Sequence, residues 1–421
     1  MSQVSARVTS LACVWLAGSA CISADTPGDR LLISRSFQAQ RIEVVSIDAR
    51  SIAYRDAYGA VRTHDAADVL AIISPPADTA TGQLTIGPNR RSPHVLELWD
   101  GQRHVGRFAP RASGLIAGDE PVVGWDSTLF GALQISLDRV AMMRLAASSV
   151  HPPKDLRDHV VLVNGDLMSG YIEHVGEDVV IDADDRAVRI PIARIATVSL
   201  GGRAEPVSGH MIWLADGSVV AVREVASRAN GRLMVSLQDS SGAARDQTQG
   251  DVRGQAEVSL SDLLALSVDG SRLIELASLD PVEQGPTPPR RWSQPLRVEQ
   301  PSLSILGQGS IHLDGPMRVV WTLPANSLRV RGTAELPESS WTWGDCVLRI
   351  TAVGADGAER ELLRERMSSQ RPLVEFSADL PRGGRQGTRL LVTLDEGEHG
   401  PVQDRVVLRG VLVLLDEASP Q

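Results

Sequence analysis

A chain of 421 residues is too long for one ordinary core and points to several small domains. Its 43% hydrophobic and 22% charged residues exclude wholesale disorder, and a net charge of −10 with no basic stripe argues against nucleic acid or an anionic membrane surface as partner. Aromatic residues make up only 4%, so each tryptophan is worth following.

At the start, Arg7, the apolar run Leu11 to Gly18 and the small residues Ser19 and Ala20 before Cys21 follow the order of a secretory signal. The apolar run is too short to anchor the chain across a bilayer. Cleavage after Ala20 or Ala24 would remove residues 1–24 as a signal peptide and place the chain in the periplasm, at the cell surface or outside the cell, with no transmembrane span in the mature chain. Cys21 is the alternative, a lipidation site, although Gly18 stands where a lipobox has Leu. With the signal removed, Cys346 is the one certain thiol, so no intrachain disulfide is available and packing must hold the exported chain together.

Four similar units follow, spanning 30–80, 84–147, 155–203 and 207–279. Three open with a strand and an Asx-Gly turn: His94 to Leu98 before Asp100-Gly101, Val160 to Val163 before Asn164-Gly165, and His210 to Leu214 before Asp216-Gly217. Each closes on an apolar pair of runs, as in Asp68 to Ile73, Ile135 to Met143, Val188 to Val198 and Val258 to Leu266. Asx-Gly between alternating apolar residues is a hairpin signal, because both central residues of such a turn take positive φ. The first unit lacks this dipeptide. A hairpin alone cannot bury its apolar face, whereas about five curled strands can, so each unit is expected to be a small barrel. The pattern resembles the SH3-like and Sm-like barrels, without the basic or aromatic loop by which Sm-like proteins hold RNA.

Proline then marks a boundary. Residues 280–299, with Pro281, Pro286, Pro288 and Pro289, read as a semi-rigid linker that sets off an independent β-sandwich over 300–418. Gln238 to Gly254 reads as a loop inserted in the fourth unit. Ala358 to Met367 has helical propensity, but its place after the Asp356-Gly357 turn and between strands makes it a strand. The expected fold class is all-β: tandem small barrels followed by a jelly-roll β-sandwich.

In the last block, Trp341-Thr342-Trp343-Gly344-Asp345-Cys346, then Asp356-Gly357, then the Leu-rich strand into Asp395-Glu396-Gly397-Glu398-His399-Gly400 and Asp404, resemble the NPCBM modules, galactose-binding-like jelly rolls. The resemblance covers about a quarter of the chain and departs from the family where Val406-Val407-Leu408 replace its usual Trp. It implies carbohydrate binding. A sugar site needs an apolar plate and fixed polar groups, and Trp341, Trp343, Asp345, Asp395, His399 and Asp404 are the candidates. Two apart on a strand, the tryptophans would share one side. The plainer readings are that both pack inside, and that the acidic loop is a solvated turn or holds a structural Ca²⁺. Trp321, in an alternating apolar strand, belongs to the core.

Catalytic signatures are missing: no Gly-x-Ser-x-Gly elbow, His-Glu-x-x-His helix, Walker loop or dinucleotide fingerprint occurs. Asp182-Ala183-Asp184-Asp185 lacks the other ligands of a calcium loop, and His94, His159 and His210 read as strand-entry residues. The sequence therefore describes an exported, non-catalytic, multi-module protein that binds a glycan or envelope polysaccharide, without cofactor. The alternative is an envelope structural or assembly protein that contacts other proteins through its β-modules. A degenerate hydrolase is the weakest reading.

Overall fold

The computed structural model describes residues 30–74, 94–110, 114–115, 121–148, 150–153, 155–183, 186–202, 209–228, 231–238, 254–269, 272–287, 293–299, 305–382 and 387–416. The expected signal segment, Cys21, Asp184-Asp185 and nearly all of the 238–254 insertion lie outside the described residues. Within them the regular structure is antiparallel β-strand with short 3₁₀ turns, so the chain is all-β, and Glu359–Ser368 is the strand expected of it.

The first unit shows how the pattern folds. Strands Arg30–Ser34, Ala39–Ile47, Ser51–Arg55 and Val61–Asp65 form a meander, a 3₁₀ turn at Ala66–Asp68 follows, and Val69–Ile73 returns to pair with the first strand. Asp65 caps the turn by accepting from the Ala67 amide at 2.9 Å. The first strand thus has a neighbour on either side, and the sheet curls around Leu32, Ile42, Ile52, Tyr54 and Ile72. The other three units repeat this order and end in Val140–Arg144, Ile195–Ser199 and Leu263–Ser267, each after its own 3₁₀ turn.

These closing strands also join the units. Val69–Ile73 pairs with Leu263–Ser267, and Val140–Arg144 with Ile195–Ser199, so the first unit shares a sheet with the fourth and the second with the third. Every residue of Val69–Ile73 and of Leu263–Ser267 is buried. The runs are continuously apolar because one face lies in the core of the curled sheet and the other is covered by a neighbour.

In the three units with Asx-Gly, the glycine takes positive φ and donates back to the end of the first strand, while the Asx carboxyl or amide oxygen accepts from the amide two residues on. The first unit builds the same turn without glycine. Ser34 donates to Gln38 O and Phe37 to Ser34 O, with Phe37 at φ +61°. A phenylalanine in the left-handed region is strained, and what offsets the strain is burial: its ring is fully enclosed with Ile33, Leu70, Ile73, Leu306, Leu412 and Leu414. Arg331 lies over the ring at 6.0 Å.

That cluster joins the barrels to the sandwich. One sandwich sheet contains Leu273–Glu275, Arg297–Glu299, Ser310–Asp314, Arg405–Leu415, Ser327–Glu335 and Leu373–Asp379, and the other Glu283–Gly285, Met317–Thr322, Arg389–Glu396, Asp345–Val353 and Glu359–Ser368. Between them lie Leu313, Val319, Trp321, Val330, Leu348, Ile350, Val392 and Leu408, with Trp321 in the core as expected. Two expectations are corrected. Residues 273–275 and 283–285 are sandwich strands, so the sandwich begins inside the stretch assigned to the fourth unit, and 280–299 is no free linker: its two short segments add to opposite sheets. Nor is the sandwich an independent module. In Arg405–Leu415, Val411 and Val413 face its core while Leu412 and Leu414 face the first unit.

Across this joint runs Ile305 to Gly309. Gln308 donates to Ser74 O, and Gly309 donates to Glu275 Oε1 at 2.6 Å. Burial pushes the Glu275 carboxyl up to about 7.

Two predictions follow from the joint. Phe37→Ala removes the buried ring but keeps a Cβ at positive φ, and should cost about 3–5 kcal/mol, with Phe37→Gly about 1 kcal/mol milder; denaturant unfolding checks the order. Because the folded state holds the Glu275 proton where the unfolded state releases it, its contribution to stability is full below about pH 4.5 and is lost as pH rises to about 7. Glu275→Gln keeps the acceptor for Gly309, so the wild type should lose about 3 kcal/mol relative to this variant over that window, read from paired melting curves.

Candidate functional site

The Trp-Thr-Trp run lies on no strand. The chain leaves Ser327–Glu335, makes a 3₁₀ turn at Glu338–Ser340 and turns through Trp341 to Trp343 before Asp345–Val353 begins. Trp341 ends the 3₁₀ turn with helical dihedrals, so the same-side expectation drawn from strand alternation does not apply. Both rings are nonetheless outside, 41% and 54% exposed. The indole N–H of Trp341 donates to Leu336 O at 2.9 Å, which ties that ring to the backbone. Trp343 meets His399 edge-on, centroids 6.4 Å apart at 75°.

His399 belongs to the loop between Arg389–Glu396 and Arg405–Leu415, and Asp345 holds that loop in place. Only 3% exposed, Asp345 accepts two bonds of 2.7 Å from Arg366 Nε and Nη2 and a third, at 2.9 Å, from the Glu398 amide. His399 Nδ1 stands 3.6 Å from Asp345 Oδ2. Arg366 also reaches Glu398 Oε1 at 3.0 Å. The Arg366 guanidinium holds the Asp345 carboxyl below its ordinary value, and the carboxylates raise Arg366 in turn. Gly397 and Gly344 are required by close approach: a Cβ on Gly397 would stand 1.8 Å from Asp345 O, and one on Gly344 2.5 Å from Ser340 O.

Asp404 is 2% exposed. Its Oδ1 accepts from the Asp345 amide at 3.3 Å, while Oδ2 has no hydrogen-bond partner among the described residues. Burial, then the Asp345 and Glu396 charges, push its carboxyl up to about 7. Burial also lifts the Cys346 thiol to about 12, which leaves it inert.

The candidates therefore separate. Trp341, Trp343 and His399 lie at the surface, whereas Asp345 and Asp404 are buried beneath them and hold the loop rather than face a ligand. Asp395, half-buried opposite Val347, is tied to the cluster by no hydrogen bond among the described residues. Sequence reasoning missed Arg366 and Glu398. Arg366 lies in a charged strand that reads as solvated surface, and only its register opposite Val347 brings it to Asp345.

Elsewhere the histidines are structural. His159 is buried between Ser169 and Asp155, His94 accepts from the Phe108 amide, and His210 contacts Val268 O. An open cleft of about 610 Å³ lies at Pro110, His174, Asp178, Val180 and Arg189. Among the described residues no group of three or more His, Cys, Asp or Glu is placed to hold a metal ion, and no helix is long and apolar enough to cross a membrane.

No protein-family model matches the chain, and no curated protein matches it. Among solved structures it is similar to CBM51 from Clostridium perfringens GH95 in complex with methyl-galactose, at 7% identity over 34% of this chain and 99% of that one, TM-score 0.26. It is similar to the cleaved adhesin domain of Lys-gingipain from Porphyromonas gingivalis, at 10% identity over 34% of this chain and 98% of that one, TM-score 0.24. A third is the CBM22-1 xylan-binding domain from Paenibacillus barcinonensis Xyn10C, at 14% identity over 34% of this chain and 97% of that one, TM-score 0.21. Overlaps of this size carry no argument about the ligand or family of this chain.

The Asp345 frame makes its own prediction. Arg366→Lys keeps the charge but not the fork. It should lower the melting temperature and speed amide exchange at Glu398, with Gly357 as the unchanged reference; an unaltered Glu398 amide would show that the frame does not hold the loop.

Proposed function

We propose that this chain is an exported, non-catalytic carbohydrate-binding protein of the cell envelope, in which four SH3-like barrels carry an NPCBM-like sandwich whose rim takes a saccharide. One observation supports it above the rest: Trp343 is more exposed than buried and meets His399 edge-on. A large indole left outside a core is an apolar plate suited to the C–H face of a sugar ring. His399 and Glu398, both on the loop that Asp345 holds, supply polar groups for hydroxyls. The meander, the 3₁₀ turn before the last strand and the closing pair support the barrel assignment.

The same rim favours a second reading. Val402, in the 397–403 loop, and Leu373, paired with Glu335, are 49% and 55% exposed, and exposed apolar groups also suit another protein. On this account the chain is an assembly protein of the envelope.

Glycan-array screening of the folded full chain, followed by calorimetry on the best hit, separates the two. Saccharide binding is expected, with Trp343→Ala weakening it about tenfold or more. A folded chain that binds no glycan, yet retains protein partners sensitive to Trp343→Ala, would establish the assembly role instead.

A further inference from the structure

The buried carboxyl beneath the rim has a job that holding the loop does not explain. Asp345 already has three donors, whereas Asp404, equally buried, offers Oδ2 to none among the described residues. A buried carboxylate oxygen without a donor is costly, and protonation removes the charge that makes up most of that cost. The groups around it do not favour its charge. On Asp345–Val353 it faces the Asp345 carboxylate and the Cys346 thiol, and at the end of Arg389–Glu396 it faces Glu396. Arg366, on Glu359–Ser368, is engaged by Asp345 and Glu398. The adjacent Arg405 turns to Asp314 of Ser310–Asp314 at 3.0 Å.

The 397–403 loop runs directly into Asp404. It is fastened by the Glu398 amide to Asp345, by the Glu398 carboxylate to Arg366 at 3.0 Å, by His399 to Trp343 and Asp345, by a 3.3 Å bond from Gly400 to Gly397 O, by Val402 to Gly400 O at 2.9 Å, and by Arg405 donating to Gln403 O at 2.8 Å. Gln403 sits at φ +60°, a conformation that disfavours a non-glycine residue. Behind it the chain is anchored, with Gly315 donating to Asp404 O at 2.7 Å.

We propose that Asp404 is a proton-controlled latch: protonated, it lets the 397–403 loop close and bring His399 to Trp343, and ionised, it draws water in by lifting that loop. The proton leaves to solvent. The upward displacement of the Asp404 carboxyl to about 7 places the change near neutrality. As regulation of a binding rim this rests on the saccharide reading; the latch itself can be measured with no sugar present, so either can fail without the other.

The test is hydrogen exchange in the full chain between about pH 5.5 and about pH 8.5, corrected for intrinsic rates. Protection of the Glu398 and Val402 amides should fall at least about tenfold across the range, and in Asp404→Asn it should stay constant. Flat protection in the wild type, or pH dependence that survives in Asp404→Asn, would overturn the proposal. If that variant does not fold, carbon-13 titration of the wild-type Asp404 carboxyl decides: a midpoint near neutrality supports the latch, and one near the ordinary aspartate value removes it.

Discussion

A strand covered on both faces must also have both edges paired, because water reaches none of its amides. The closing strand of each unit meets this demand by lying between its own first strand and the closing strand of another unit. Arg405–Leu415 meets it in the sandwich, flanked by Ser327–Glu335 on one edge and by Ser310–Asp314 and Leu273–Glu275 on the other. The architecture follows from these strands. The four units join in pairs, and the sandwich is built onto the pair formed by the first and fourth instead of hanging from a spacer.

This matters for the rim. A module on a proline-rich tether would present its loops independently of the barrels. Here Phe37, Ile73, Leu306 and Leu412 form one apolar joint, reinforced by the Gln308 bond to Ser74 and the Glu275 bond to Gly309. The Trp343 surface is therefore carried at a set position on the whole molecule, and the freedom left near it is that of the 397–403 loop. Two buried carboxyls displaced toward neutrality, Glu275 at the joint and Asp404 under the loop, make both places sensitive to protonation.

Much of the fold was legible in the residues. Asp100-Gly101, Asn164-Gly165 and Asp216-Gly217 form the hairpins their chemistry implies, since glycine tolerates positive φ and the Asx side chain accepts from the turn. The first unit makes the same turn with Phe37, which local propensity cannot foresee because part of the compensating contact comes from Leu306, Leu412 and Leu414, far along the chain. The site was legible in part. Trp341, Trp343 and His399 lie at the surface, but Asp345 and Asp404 were read as ligand-facing and are buried, and Arg366 was hidden in a run of alternating charge.

By itself, the sequence determined the strands, the turns and the repetition, because alternation, Asx-Gly pairs and continuous apolar runs act through neighbours a few residues apart. It also marked the closing runs as apolar, without saying what covers them. Only the tertiary structure decided which closing strands pair, that 273–285 belongs to the sandwich, and which acidic groups lie under the rim instead of on it. Those outcomes depend on register and on contacts between distant segments, where a single shift of a strand exchanges a buried carboxylate for an exposed one.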